Sequence, residues 1–330
     1  MTHFVPGNLL TAWTADPEGL ALVVAAAVPY ALLVRRVARA GLRPSPWRAA
    51  LYAVLGVGTL AYSTCGPPAV FRQEVFWLAA LRIGVLAAVT PVGLALGDVV
   101  GLLRRLHPDG EHPLLRFLHG RLSRALTFPA VSTLLATGTL LVVFVTPVLT
   151  WSVTSRVVGV ALDLVLLVTG LLFVLPLLAD DLLPAWATPP VRTFLAFVDG
   201  LLDAVPGIVV MTADTILTPG YPGFSSHVSG LDPLLDQHLG GGSLIAVAES
   251  VGLPVIAAVF LDWVRSDERD ARAADLLDDR AGPAGAPGPA DTPTPADASG
   301  LWWEQDPRFA GRYRPTPPPE DASGPPPQQG

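Results

Sequence analysis

The chain has 330 residues, of which 51% are hydrophobic and 15% charged, against about 25% charged in an ordinary soluble domain. With a mean hydropathy of +0.49, this composition needs lipid to bury its apolar excess, which excludes a soluble globular protein and leaves no nucleic-acid partner to expect. The net charge of −7 comes largely from residues after Asp262 and says little about the apolar part, and a single cysteine, Cys65, excludes an intrachain disulfide and any zinc or iron–sulfur site built from cysteines of one chain.

Roughly 20 apolar residues are needed for a helix to cross about 30 Å of hydrocarbon. Seven stretches meet that condition: 19–36, 49–66, 75–102, 126–149, 157–178, 193–216 and 242–263. The first is followed, not preceded, by Arg35, Arg36 and Arg39, so it reads as a retained helix and not a cleaved signal. The third is long enough to tilt, or to break at Pro91, which removes a backbone donor. The expected fold is an all-α integral membrane protein, a bundle of seven transmembrane helices over residues 1–272, with a disordered tail at 273–330.

Arginine fixes the orientation, and all 21 basic residues are arginine. Arg35, Arg36, Arg39, Arg43 and Arg48 follow the first stretch and Arg104, Arg105, Arg116, Arg121 and Arg124 the third. Arg192 follows the fifth, and Arg265, Arg269 and Arg272 the seventh; the alternate connections hold only Arg72 and Arg156. The positive-inside rule then predicts a multi-pass protein of the bacterial cell membrane, amino terminus outside and carboxyl terminus in the cytoplasm.

Between the third and fourth stretches, Leu114, Leu115, Phe117, Leu118 and Leu122 alternate with Arg116, Arg121 and Arg124 across residues 107–125, the pattern of an amphipathic helix on the cytoplasmic leaflet. His107, His112 and His119 read there as solvated groups. The tail from Ala273 is rich in Pro, Gly and Ala and cannot order itself. Its one aromatic and basic island, residues 301–314 with Trp302 and Trp303, reads equally as a docking peptide for a soluble partner or as a segment resting on lipid.

Ionisable residues inside spans are costly and mark a partner or a site. Arg82, Asp163 and Glu249 each lie six or seven residues from the outer end of a span, roughly 10 Å deep at 1.5 Å per residue, with Asp214 close by. Asp199 and Asp203, at i and i+4, lie nearer the inner half. Two readings fit: a structural ion pair between Arg82 and Asp163, or an outward-facing cavity handling a proton or small cation. The connection 217–241 adds His227, Asp236 and His238, a weak metal signal because their spacing matches no tight motif. No nucleophile–base order, phosphate loop or nucleotide fingerprint occurs, so no catalytic residue and no enzymatic activity are expected.

The stretches EVFWLAALRIGVLAAVTPVGLALGDVVGLLRR and LDLVLLVTGLLFVLPLL, and LLDQHLGGG leading to LDWVRSDERDAR, resemble in order the CtaG family of cytochrome c oxidase assembly factors. The resemblance implies seven spans, a role in copper maturation of haem–copper oxidases, and oxidase subunits as partners. It also implies two histidine pairs, opening the third and fifth helices, as copper ligands. Their places fall here on Ala79 and Ile83 and on Gly159 and Asp163. None is histidine, so copper is a cofactor by resemblance only.

Overall fold

A computed structural model describes residues 6–9, 11–107, 128–178, 189–226 and 230–281, with Pro113, Gly120 and Leu126 singly between. The amphipathic stretch after His107, the residue His227 and the tail island with Trp302 and Trp303 lie outside the described residues. The chain divides into two units, Met1–Glu268 and Arg269–Gly330. In the second, the described residues 269–281 are helical.

Among the described residues there is helix and no strand. The helices are α1 (Pro17–Arg39), α2 (Pro46–Val70), α3 (Phe76–Leu106), α4 (Pro129–Val145), α5 (Val148–Thr154), α6 (Arg156–Leu178), α7 (Pro189–Thr212), α8 (Pro222–Ser226) and α9 (Pro233–Ala281). By length and composition α1, α2, α3 and the Arg156–Leu175 part of α6 can cross a membrane. The fourth expected stretch, 126–149, covers α4 and only the first residues of α5; the two helices meet at 76° and count as one broken span at most. The break falls at Thr146–Pro147, because proline restricts the residue before it to extended backbone, and Thr146 sits at φ −124° and ψ 171°. The sixth and seventh stretches fall on α7, whose apolar described part is Gly200–Thr212, and on α9. The described helices thus support four or five spans.

Inside α3 the turn does not break at Pro91. A π-helical segment, Val85–Val89, precedes it, with the Thr90 N–H bonded to the Val85 carbonyl. The α2–α3 crossing depends on glycine. A Cβ on Gly93 would run into the backbone of Leu55 and Gly56, and backbones approach this closely only over small residues. The core gathers Leu60, Phe76, Ile83, Leu86, Phe144, Leu149, Leu166, Val210 and Tyr221, with Leu20, Val24, Val28 and Leu32 exposed along one face of α1. That outward apolar stripe is what a lipid-facing helix presents.

Candidate functional site

The middle of the Phe76 half of the bundle holds one buried ion pair. Arg82 on α3 and Asp163 on α6 are 5% and 4% exposed, and an Arg82 Nη2 hydrogen bond reaches Asp163 Oδ2 at 2.6 Å. Arg82 Nε donates to the Ser63 carbonyl on α2 at 2.9 Å, so one guanidinium ties three helices. Asp163 Oδ1 and Ser63 Oγ, both buried, have no hydrogen-bond partner among the described residues. Each retains the capacity to accept one further hydrogen bond. A carboxylate bonded to a guanidinium that also holds a third helix serves a structural role best.

Above the pair, towards the chain's first residues, charges alternate. Arg156 Nε lies 2.9 Å from Glu18 Oε1, and Arg156 Nη2 lies 3.6 Å from Asp16 Oδ1. Arg72, in the connection between α2 and α3, is half-buried beside them. Burial first, then the Arg82 charge, lower the pKa of its guanidinium, while Asp163, Asp16 and Glu18 act in the opposite direction. The same connection donates from Gln73 Nε2 to the Val153 carbonyl at 2.5 Å. Nothing in the local sequence around Arg72 marks it as part of this network; it is the fold that brings it within range.

The residues Asp236, Gln237 and His238 serve as ties. Asp236, on α9, accepts hydrogen bonds from the N–H groups of Phe76 at 2.9 Å and Trp77 at 3.0 Å. It caps the start of α3 from 160 residues away in sequence, satisfying donors that no helix can satisfy at its own first turn. Burial pushes its carboxyl up from the usual 3.8, and the two N–H bonds pull it back down. Gln237, fully buried, accepts from the Leu217 N–H at 2.8 Å and donates to the Thr215 carbonyl at 3.1 Å. His238 Nε2 is 3.0 Å from the Ala213 carbonyl. The following glycines let α9 close on its neighbours: a Cβ on Gly240 would meet the Phe76 ring at 2.6 Å, and one on Gly241 the Gly207 carbonyl at 2.6 Å. Phe76 stacks on Phe224 at 5.3 Å and meets Tyr221 edge-on at 5.3 Å. Burial, and secondarily Asp236, hold the Tyr221 phenol well above its usual pKa, and its hydroxyl donates to the Arg72 carbonyl.

The other expected positions are dispersed. Glu249 and Asp214 are exposed and have no ion pair among the described residues. Asp203 lines a cavity of about 50 Å³ with Gly84, Ala88, Gly170, Leu244 and Val247, and is the one ionisable group on its walls. Asp199 has no described side chain. Among the described residues, Arg82 is not on the walls of this cavity. Of the positions where the resemblance would put copper ligands, Ala79 and Ile83 are buried, Gly159 lies near Ser152 and Arg72, and Asp163 is in the pair. As a copper(I) site they do not fit: alanine, isoleucine and glycine carry no donor, and the one carboxylate is held by a guanidinium. No group of three or more His, Cys, Asp or Glu side chains arranged to hold a metal ion occurs among the described residues.

Fold and site define a helical protein with helices fit to cross a membrane and a charge pair sealed among three of them. The profile of the cytochrome c oxidase caa3 assembly factor family matches residues 28–266, and the chain belongs to that family. It is also 27% identical over 288 residues to an uncharacterized protein of Mycobacterium bovis and to one of Mycobacterium tuberculosis, matches that cover 81% of this chain. The chain spans only 42% of the length of those relatives. No solved structure matches it.

Proposed function

We propose that this chain is an accessory factor in the assembly of a haem–copper cytochrome c oxidase, non-catalytic, associating with oxidase subunits, and acting without a copper ion between α3 and α6. The family match over residues 28–266 carries the assembly reading. Arg82 and Asp163 support its metal-free form, because the guanidinium supplies at that place the positive charge a cation would otherwise bring. Affinity purification from membranes followed by mass spectrometry tests it: oxidase subunits should be recovered with the tagged chain. Their absence, with the oxidase spectrum unchanged in a deletion strain, would refute it.

In this reading the chain crosses the cell membrane seven times, the broken α4–α5 pair, α7 and α9 included, with the Phe76 end of α3 outside. The arginine bias supports that orientation. A reporter fused after His227 should be active outside and one fused after Arg272 only in the cytoplasm. External activity of the second would make the count of spans even.

A further inference from the structure

We propose that the cleft between α1 and the Leu106 end of α3 is a binding site for an anionic phospholipid. Independent of the assembly reading, it rests on a cavity of about 450 Å³ whose walls change character along one direction. Ala25, Ala26 and Pro29 line its deep end, Leu33 and Leu103 its middle, and Arg36 and His107 its mouth. From Ala25 to Arg36 the helix rises about 16 Å at 1.5 Å per residue, close to the roughly 15 Å depth of one leaflet's hydrocarbon. An acyl chain followed by a phosphate has that same order and length.

The back wall is dry. Tyr30 and Tyr52 stack with ring centres 3.7 Å apart, and their hydroxyls are taken up by the carbonyls of Gly97 at 3.2 Å and Ala26 at 2.8 Å. Neither needs water from the cleft, and a cavity so lined takes hydrocarbon. Charge is complementary at the mouth, where no carboxylate of the described residues lines the cavity. Arg48 on the neighbouring turn is satisfied by Asp98 at 2.5 Å. Arg36 has no carboxylate partner among the described residues and is exposed, with Arg35 and Arg39 beside it on α1 and Arg43 just beyond the helix. Arginine at the ends of α1 and α3 also complements the helix dipoles, but dipoles alone require no apolar cleft beneath the charge. Basic pockets between helices on the arginine-rich side are the places where anionic headgroups settle.

The test titrates the purified full chain, delipidated in neutral detergent, with phosphatidylglycerol, phosphatidylcholine or inorganic phosphate, reading Tm and retained lipid by native mass spectrometry. Phosphatidylglycerol should be retained and raise Tm, with an affinity above that of phosphatidylcholine by about five-fold for each arginine engaged; phosphate alone should do nothing. Arg36→Gln, an exposed change that leaves folding intact, should abolish most of the discrimination, and Ala25→Phe should fill the cleft and lower retention of both lipids. Equal affinity for the two lipids, or Arg36→Gln binding like the parent, would overturn the assignment. So would phosphate reproducing the shift. Lipid uptake appearing only after Leu114→Asp with Leu118→Asp would mean that the chain's own 107–125 stretch fills the cleft, and would overturn it too.

Discussion

The two ends of α3 solve the problem of polar groups in an apolar bundle in opposite ways. At the Phe76 end the groups are drawn inward and bonded: Arg82 to Asp163 and Ser63, Asp236 to the first N–H groups of α3, Gln237 to the 215–217 backbone. At the Leu106 end Arg35, Arg36, Arg39 and Arg105 are exposed, and the helices beneath them leave a cleft of about 450 Å³. The first arrangement fixes the relative positions of α2, α3, α6 and α9. The second leaves an apolar space beneath a charged rim. Substitutions at the first end should therefore cost stability, while those at the second should change what binds.

The largest effect is expected at the buried pair. Arg82→Leu or Asp163→Leu leaves one uncompensated charge, a loss typically of about 3–5 kcal/mol, whereas replacing both by apolar residues is often close to neutral. Thermal unfolding in detergent should show each single variant well below the parent and the double variant recovering much of the loss. Additive losses would mean that the two charges do not act as a unit.

Gly240→Val comes next. Its Cβ would stand 2.6 Å from the Phe76 ring, and overpacking of this kind costs about 1–3 kcal/mol. A parent-like Tm would mean that α9 does not close on α3 at that point.

Asp236→Ala removes the remote cap, with an expected loss of about 0.5–2 kcal/mol. The carboxyl adds a pH signature. Because burial raises its pKa in the folded chain above 3.8, the folded state holds the proton more tightly. That contribution is complete below 3.8 and is lost as pH rises through the raised value. The stability difference between the parent and Asp236→Asn should therefore shift against the parent as pH rises from acid towards neutral. A difference independent of pH would contradict the burial of this group.

The smallest effect belongs to the tail. Deleting residues 281–330, which lack apolar residues at helical or strand spacing, should leave the protein in the membrane fraction with an unchanged Tm. Disappearance from that fraction would refute it, and loss of a soluble partner alone would point to Trp302 and Trp303.

Much of this was legible in the sequence. Arg82 and Asp163 betray each other because two opposite charges at matching depth in neighbouring apolar stretches have few alternatives to pairing. The helices themselves follow from apolar length. Less was legible where a property depends on a distant segment. The fourth stretch reads as a single span ending at 149 because its composition is continuous, yet the chain bends by 76° near Pro147 and runs on as α5 to Thr154. Glu249 matches the pair in depth, but depth along a helix does not settle which way a side chain faces, and it lies exposed. Asp236 read as a candidate ligand in a loop because nothing near it in sequence reveals the α3 terminus it caps. A signal was present: Asp236, Gln237 and His238 stand in succession at the start of an apolar glycine-rich helix, where three polar side chains cannot all face solvent.

Copper analysis of the purified chain separates the metal-free pair from a copper site most directly. After loading with copper(I) and removal of the excess, elemental analysis should find no stoichiometric copper, and replacing Ala79, Ile83, Gly159 and Asp163 together by histidine should create the capacity the parent lacks. One tightly held copper in the parent that disappears with Asp163→Leu would contradict the metal-free site. If it disappeared instead with His227→Ala or His238→Ala, the connection leading into α9 would be the metal site.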